Sequence, residues 1–396
     1  MNVLTLSRNY PNDVLPHLGP WVEGLVKSTA QLCEQRVIAP VPYAPLLPGL
    51  PQRFSRFRRI PQHELRDGIE VWHPRFLTGP GYSLHSYEAD LYFLGIERFV
   101  DQLRSEYPFD LIHAHFGYPD GVAAARLGQR YNIPVIITEH AIWHPWMDNY
   151  PRVRRQAVWA AQQCAFHLVG SRALRNSIVD FTSQPEKTRL IPIGTDIAVF
   201  TPASNGHTPN PNQLVYVGRF QHVKGVDILL RAMREVVNER PETHLVVIGG
   251  SFYTKGAGEE GQLRELVREL QLEKHISFVG VKSGHEIARI LQESALLVLP
   301  SRRESFGTVL IEALACGTPV VATRCGGPED IINDNVGALV PVEDEQALAE
   351  AIKTVQRQRD QFNATKLRDY VIGKYSWDVI ASQVAELYGE AIDNFR

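Results

Sequence analysis

The most informative stretch of the sequence is Ser301-Arg302-Arg303-Glu304-Ser305-Phe306-Gly307-Thr308-Val309-Leu310-Ile311-Glu312-Ala313. It follows an apolar run at residues 296–300, which predicts a strand, and it opens a helix near Gly307. The free amides of Gly307, Thr308 and Val309 at the helix start would form an anion site with the helix dipole. Glu304 precedes this site and Glu312 follows eight positions later, which suits a phosphate flanked by hydroxyl-bearing rings. The alternative is that Glu304 only caps the helix and Glu312 lies on a solvated face.

The rest of the chain repeats this order of strand, loop and helix. Apolar runs occur at residues 3–6, 111–114, 134–138, 166–170 and 190–193, and again at 214–218, 245–249, 276–280, 296–300 and 319–323. They are nearly continuous in Val, Ile and Leu, which is typical of strands covered on both faces. Amphipathic stretches, including 226–239, 260–270 and 309–316, predict helices between them. The sequence therefore predicts an α/β protein with two Rossmann-like, doubly wound parallel-sheet domains.

The segment 201–212 is rich in Pro, Asn and small polar residues and predicts a linker. The expected domains are residues 1–200 and 213–374, followed by a helix over 375–396 that is long enough to cross back to the first domain. Ligands of such sheets bind beyond the carboxyl ends of the strands, so we expect two sets of loops to face one cleft. That geometry suits an enzyme with two substrates and a clam-shell binding protein equally well.

Composition excludes several classes of protein. Lys and Arg number 41 against 44 Asp and Glu, a net charge of −3, which argues against a nucleic-acid binder. The sequence contains no run of about 18 apolar residues, so we expect no transmembrane helix, and the N-terminus does not resemble a signal peptide. The four cysteines are too widely spaced for a zinc cluster or a disulfide scaffold. We therefore expect a cytoplasmic protein.

Taken together, several motifs resemble glycosyltransferase family 4, the retaining enzymes with the GT-B fold. They are Glu304-x7-Glu312, Gly218-Arg219-Phe220 with Lys224-Gly225, Gly249-Gly250, Pro192-Ile193-Gly194-Thr195-Asp196, Gly326-Gly327-Pro328-Glu329 and Ser376-Trp377. The resemblance runs along almost the whole chain. It implies retaining transfer of a hexosyl unit from a nucleotide diphosphate sugar, with a UDP-sugar favoured and a GDP-sugar as the alternative. The implied acceptor is a glycan or a glycolipid, in polysaccharide or cell-envelope biosynthesis.

The resemblance also assigns the donor site. Glu304 would bind hydroxyls of the transferred sugar, Glu312 would bind ribose, and the base would lie near Val281 and Lys282, with Phe306 in the same loop as Glu304. The residue types agree with a diphosphate, because the Arg219 fork and the Lys224 point charge suit its developing negative charge. The chain has no Asp-x-Asp triplet, so we expect no metal requirement and no other cofactor. The alternative for Arg219 and Lys224 is two ordinary surface cations.

In the first domain Gly19-Pro20 stands where the family usually has Gly-Gly. Gly19 remains a candidate for close approach to the donor phosphate, whereas Pro20 has no N–H to donate. His140, after Thr138-Glu139, resembles the family's active-site histidine beside the transferred sugar. His115, Glu139 and Trp143 are candidate acceptor contacts. A metal site at the neighbouring histidines would lack Cys or Asp ligands nearby, and a structural role for each histidine stays open.

The segment Arg53-Phe54-Ser55-Arg56-Phe57-Arg58-Arg59 interleaves cations with aromatic rings. It would suit peripheral contact with an anionic membrane or a lipid-phosphate acceptor, and the alternative is a solvated loop.

Other activities of the same architecture remain: a nucleotide-sugar epimerase or phosphorylase, an NAD-dependent dehydrogenase and a non-catalytic clam-shell sugar binder. No lysine is marked for pyridoxal phosphate, and no Gly-x-Gly-x-x-Gly follows a strand.

Overall fold

The computed structural model describes residues 1–43, 56–79, 83–142, 146–203, 208–250 and 259–395, with only the backbone of Trp146. Contacts divide the chain into two compact units. The first comprises Met1–Gly194 together with Ile380–Arg396, and the second comprises Thr195–Val379. Within the described ranges no helix is both long enough and apolar enough to span a membrane.

The first unit is built on an eight-stranded sheet. Its strands are β1 Asn2–Leu6, β2 Glu34–Ile38, β4 His63–Arg66, β5 Ile69–Trp72, β7 Leu111–His115, β8 Val135–Glu139, β9 Phe166–Val169 and β10 Thr188–Leu190, while β3 Val41–Pro42 and β6 Arg75–Phe76 form a separate pair. The order across the sheet is β10-β9-β8-β7-β1-β2-β5-β4, and β4, at one edge, runs antiparallel to β5. The helices of this unit are α1 Pro20–Thr29, α2 Glu88–Glu106, α3 Val122–Tyr131, α4 Pro151–Gln163 and α5 Arg172–Thr182.

The second unit has a six-stranded parallel sheet. Its strands are β11 Asn210–Val217, β12 His244–Ile248, β13 Ile276–Gly280, β14 Ser294–Leu299, β15 Val320–Thr323 and β16 Gly337–Val340, in the order β13-β12-β11-β14-β15-β16. The helices are α6 Val226–Glu239, α7 Glu259–Glu269, α8 Gly284–Glu293, α9 Thr308–Ala315, α10 Pro328–Ile331, α11 Glu345–Arg357, α12 Ala364–Tyr375 and α13 Trp377–Phe395. Residues Ile380 onward in α13 group with the first unit.

The two sheets, which are parallel apart from the edge strand β4, confirm the predicted α/β class. Central strands such as β7, β8 and β14 are buried along their whole length, as their continuous apolar runs predicted. The run at 190–193 was wrong as a strand, because β10 ends at Leu190. The strands β2, β4 and β5 were missed, since their polar or alternating sequences hide the apolar pattern. The four-residue strand β16 was missed although its sequence is apolar.

The boundary between the units lies earlier than the sequence predicted. It falls between Gly194 and Thr195 rather than after residue 200. The Thr195 N–H donates to the Tyr375 carbonyl oxygen at 2.8 Å, and Arg368 donates to the carbonyl oxygens of Ile197 and Phe200, which fixes 195–200 to the second unit. The end of the predicted linker is also corrected, because Asn210 already pairs with Ser294 in the sheet.

Candidate functional site

In the second unit three loops meet beyond the carboxyl ends of neighbouring strands. β11 pairs with β14, and β14 pairs with β15, all in parallel, so the loops that follow them leave the sheet side by side. Glu304 in the second loop bridges to the third, since its N–H donates to the Cys325 carbonyl oxygen at 3.0 Å. Its own carbonyl oxygen accepts from the Gly327 N–H at 2.9 Å. This edge of the sheet is where ligands of such folds bind.

Lys224 and Glu304 form an ion pair at this edge. Nζ of Lys224 lies 2.6 Å from Oε2 of Glu304, and the two side chains are 17% and 14% exposed. Ser301 Oγ donates to the same carboxylate oxygen at 3.3 Å. A charged hydrogen bond in a partly desolvated place is stronger than a surface pair. The structure thus joins two of the predicted donor-binding residues, and within the described ranges it shows no helix-capping bond from Glu304.

The backbone around this pair is held in place by Gly225 and Arg302. Gly225 has φ +64°, and a Cβ there would lie 2.1 Å from the Pro300 carbonyl oxygen. The Arg302 guanidinium donates to both carboxylate oxygens of Asp227 at 2.8 and 2.7 Å, and it also pairs with Glu343. The Arg302 N–H donates to the Val223 carbonyl oxygen at 2.8 Å. Sequence reasoning did not single out Arg302, although it stands inside the decisive stretch.

Helix α9 begins beside the ion pair. Gly307 precedes it with φ +96°, a conformation that favours glycine and leaves this end of the helix without a side-chain cap. The N–H groups of Gly307, Thr308 and Val309 have no hydrogen-bond acceptor in the described part of the chain. They therefore form the predicted set of free donors. Phe306 is different: its ring is 3% exposed and packs against Tyr375, so only its backbone is left to meet a ligand.

Glu312 lies in the second turn of α9 and is half-buried. Burial raises the pKa of its carboxyl to about 7. None of the described residues gives this carboxyl a hydrogen bond or an ion pair. A desolvated carboxyl of this kind does not fit the solvated helix face that was the alternative, and it marks a candidate functional group.

The remaining predicted donor residues lie on other loops of the second unit. Arg219 is exposed just after β11, and its guanidinium contacts no carboxylate among the described residues. Val281 is 47% exposed after β13. Lys282 Nζ lies 3.3 Å from Glu286 Oε1 at the start of α8. β13 is two strands away from β11, so Lys282 is separated from Arg219 by the width of β12.

In the first unit Gly19 precedes α1 with φ +67°. A Cβ at this position would lie 1.9 Å from the Asn9 carbonyl oxygen, so the loop after β1 can close only on glycine. Pro20 is the first residue of the helix, where its missing N–H costs nothing. The departure from Gly-Gly is therefore compatible with the same turn.

Glu139, a predicted acceptor contact, is buried and bonded to two loops of the first unit. Its side chain is 2% exposed. Oε1 accepts from the N–H groups of His140 and Ala141 at 2.9 and 3.2 Å, and Oε2 accepts from the Gly117 N–H at 2.9 Å. The carboxylate ties the loops after β7 and β8 together. In this structure the carboxylate therefore supports the His140 loop, and its role as an acceptor contact stays a prediction.

His115, the second predicted acceptor contact, is also buried. Its ring has no exposed surface, and its Nδ1 lies 2.9 Å from Nε2 of His140. Its contact with an acceptor stays a prediction. His140 itself is only partly buried. Burial lowers the pKa of His140 to about 3 and holds that of His115 well below its ordinary value, so both rings are neutral near pH 7. Trp143 lies outside the described residues.

In the described ranges no three His, Cys, Asp or Glu side chains are placed to hold a metal ion. The neighbouring histidines instead bond to each other and to hydroxyl groups. His113 contacts Tyr388 Oη through Nδ1 at 2.6 Å and Thr138 Oγ1 through Nε2 at 2.7 Å.

Comparison with protein families assigns both halves of the chain. A family model described as "Glycosyltransferase Family 4" matches residues 22–199, and one described as "Glycosyl transferases group 1" matches residues 200–372. The first matched range contains His140, and the second contains the Lys224–Glu304 pair.

Curated proteins similar to this chain include two enzymes named D-inositol 3-phosphate glycosyltransferase. The one from Corynebacterium urealyticum is 30% identical over 305 residues, which cover 71% of each chain. The one from Actinosynnema mirum is 26% identical over 369 residues, covering 85% of this chain and 86% of the relative.

Two solved structures share the fold over nearly the full length. Sucrose-phosphate synthase from Thermosynechococcus elongatus has a TM-score of 0.81 at 23% identity, covering 100% of both chains. HepE from Anabaena, solved in complex with UDP, has a TM-score of 0.74 at 21% identity, covering 98% of this chain and 100% of the other. HepE has also been solved with UDP-glucose.

Proposed function

The chain belongs to glycosyltransferase family 4 and has the GT-B fold, and from this premise we propose its donor, mechanism and acceptor class. The proposed reaction is transfer of a hexosyl unit from a nucleoside diphosphate sugar, with retention of configuration, to a glycan or lipid-linked acceptor. UDP is the favoured nucleotide, and the UDP and UDP-glucose complexes of HepE support this choice. The observation that carries the proposal is the Lys224–Glu304 pair beside the free amides of α9.

The diphosphate would be bound by cations and backbone donors. Lys224 lies near the start of α9, where the amides of Thr308 and Val309 and the positive end of the helix dipole favour an anion. Arg219, free of carboxylate partners among the described residues, can form two parallel hydrogen bonds to phosphate oxygens. Both cations would stabilise the negative charge that grows on the leaving diphosphate. We propose that these groups stabilise it without a metal.

The two glutamates would hold the two sugars of the donor. Glu312 has a desolvated carboxyl one helical turn behind the amides, which suits hydrogen bonds from the ribose hydroxyls. Lys224 would leave its ion pair with Glu304 and bind the diphosphate. Glu304, in the loop before the helix, would then accept hydrogen bonds from hydroxyls of the transferred sugar. The base would lie near the exposed Val281 and Lys282.

We propose that His140 contacts the transferred sugar. His140→Ala should lower kcat by at least about tenfold, because a hydrogen bond that strengthens in the transition state is lost. The melting temperature and the affinity for free nucleoside diphosphate should hardly change, since His140 as a residue is partly exposed. Steady-state kinetics and thermal melts test this. A large fall in melting temperature with unchanged specific activity would show a purely structural role.

The acceptor class has a separate test at the basic segment Arg56–Arg59, whose Arg58 and Arg59 are exposed. Arg53, which completes the predicted cluster, lies outside the described residues. Each arginine near an anionic surface contributes about 1 kcal/mol, so sedimentation with anionic liposomes should exceed that with neutral ones. The combined substitution of Arg56, Arg58 and Arg59 by glutamine should remove the difference. Equal partitioning of the unaltered protein into both liposomes would leave a soluble acceptor.

The proposed reaction is tested by incubation with UDP-hexoses and candidate acceptors, including D-inositol 3-phosphate because of the named relatives. We expect acceptor-dependent release of nucleoside diphosphate and a product whose anomeric proton shows the donor's configuration by NMR. An inverted product would contradict retention while leaving sugar transfer in place.

A further inference from the structure

Two histidine rings meet edge to edge where β7 and β8 end. His115 Nδ1 and His140 Nε2 are 2.9 Å apart, and the rings are nearly coplanar, with an interplanar angle of 12° and centroids 5.2 Å apart. This is the geometry of a hydrogen bond in the plane of both rings, between an N–H on one ring and a lone pair on the other. The opposite nitrogens, His115 Nε2 and His140 Nδ1, are buried and have no hydrogen-bond partner among the described residues.

A neutral histidine carries one ring proton, so two arrangements are compatible with this contact. In the first, His115 donates from Nδ1 and keeps a bare Nε2, and the proton of His140 is on Nδ1. In the second, His140 donates from Nε2, and the proton of His115 is on its Nε2. Burial disfavours the charged form of each ring, so a third arrangement with an extra proton does not arise near neutral pH.

The two arrangements differ in where they leave an unpaired N–H. The second leaves it on His115, whose ring has no exposed surface and which no ligand can reach. The first leaves it on His140, whose Nδ1 is buried in the ligand-free structure but which is the partly exposed residue of the two and so the one that a bound oxygen can approach. Orphaned buried N–H groups are rarer in proteins than orphaned acceptors. The first arrangement is therefore the one whose unpaired N–H can find an acceptor when a ligand binds.

We propose that His115 is a positioning residue that fixes the ring proton of His140 on Nδ1, so that His140 presents an N–H donor to an oxygen of the transferred sugar. The role of the donor rests on the proposed function, whereas the position of the proton does not. His115 itself touches no ligand and acts only through His140.

The neighbouring His113 does not determine which of the two arrangements of His115 and His140 is present. Its ring stacks on His115 with centroids 4.5 Å apart, but its nitrogens face the hydroxyl groups of Tyr388 and Thr138. Hydroxyl groups can donate or accept, so either tautomer of His113 is satisfied. Tyr388→Phe therefore offers a control that disturbs this histidine cluster without touching the contact between His115 and His140.

The decisive experiment is a nitrogen–proton correlation spectrum of the ligand-free protein labelled with ¹⁵N-histidine, with the His140 signals assigned by their loss in His140→Asn. We expect the proton of His140 on Nδ1 and a scalar coupling from His115 Nδ1 to His140 Nε2. The same spectrum should be found in Tyr388→Phe. A proton on His140 Nε2 would overturn the proposal, whether or not the protein transfers sugar.

Two substitutions supply a functional readout. The amide nitrogen of asparagine sits on Cγ, as Nδ1 of histidine does, so His115→Asn keeps a donor in place while His115→Leu removes it. We expect His115→Leu to lower kcat/KM for the sugar donor by about tenfold, with free nucleoside diphosphate binding unchanged, and His115→Asn to recover most of the loss. Equal losses in both variants would overturn the positioning role. Absence of transfer by the unaltered protein would refute the proposed function instead, and the spectrum would still locate the proton.

Discussion

Lys224→Ala is expected to lower kcat by on the order of 10²–10³, the usual effect of removing one donor aimed at charge that develops in the transition state. The substitution also leaves the Glu304 carboxylate, 14% exposed, without the cation that lies 2.6 Å away. Binding of the diphosphate should weaken as well, because an unpaired carboxylate would then face its phosphates. Steady-state kinetics and calorimetric titration with UDP measure the two effects.

The matched control for this variant is Lys353→Ala. Lys353 is likewise an ion-paired lysine of the second unit, with Nζ 2.8 Å from Glu239 Oε2, but it lies on helix α11. Its loss should lower stability and leave kcat near its original value.

Turnover by the unaltered protein should also survive EDTA. If chelation abolishes turnover and Mg²⁺ or Mn²⁺ restores it, the protein's own cations are not sufficient to stabilise the negative charge on the leaving diphosphate.

Glu312→Ala and Glu304→Ala should separate the two sugars of the donor. Glu312→Ala is expected to weaken free nucleoside diphosphate and intact donor alike, by about tenfold to a hundredfold, since a charged hydrogen bond contributes about 1.5–3 kcal/mol. Glu304→Ala should weaken the donor only. It should leave nucleoside diphosphate binding intact or tighter, because Lys224 is released from its ion pair. Titration of both variants with both ligands provides the four affinities.

The raised pKa of Glu312 adds a pH dependence of known sign. Burial raises this pKa to about 7, and ribose hydroxyls bind the ionised form, so donor affinity should rise as the pH increases from about 6 to about 8. Glu312→Gln should remove that dependence. The assignment of the two glutamates would be contradicted if Glu304→Ala weakened the free nucleoside diphosphate as much as the donor.

Much of the fold follows from local sequence. Continuous apolar runs marked the central strands, and helix α6 runs over Val226–Glu239 as its amphipathic spacing predicted. The strands at the polar edge of the first sheet could not be found this way. β4 has no buried residue, and β5 buries only alternate ones, so neither carries a continuous apolar signal.

The sequence marked candidate residues of the site but not the contacts between them. The decisive stretch marked Glu304, Gly307 and Glu312, because an anion site needs a helix start after a strand. The pairing of Lys224 with Glu304, 80 positions apart, depends on β11 lying beside β14, which no local pattern states. The full burial of the His115 ring likewise depends on the neighbouring strands. The sequence does not show this burial, so a histidine at the end of a strand predicts a ligand contact.

The central claim is that the second unit binds a nucleoside diphosphate sugar, and a thermal-shift panel tests it most directly. The panel contains UDP, GDP, ADP, their hexose conjugates, NAD and pyridoxal phosphate, applied to the unaltered protein and to Glu312→Ala. A ligand at about 100 times its dissociation constant stabilises by about 2.7 kcal/mol, a shift of several degrees. We expect UDP and a UDP-hexose to stabilise the unaltered protein, and Glu312→Ala to lose most of that shift. Stabilisation by NAD or pyridoxal phosphate, with none by any nucleoside diphosphate or its sugar, would contradict the account.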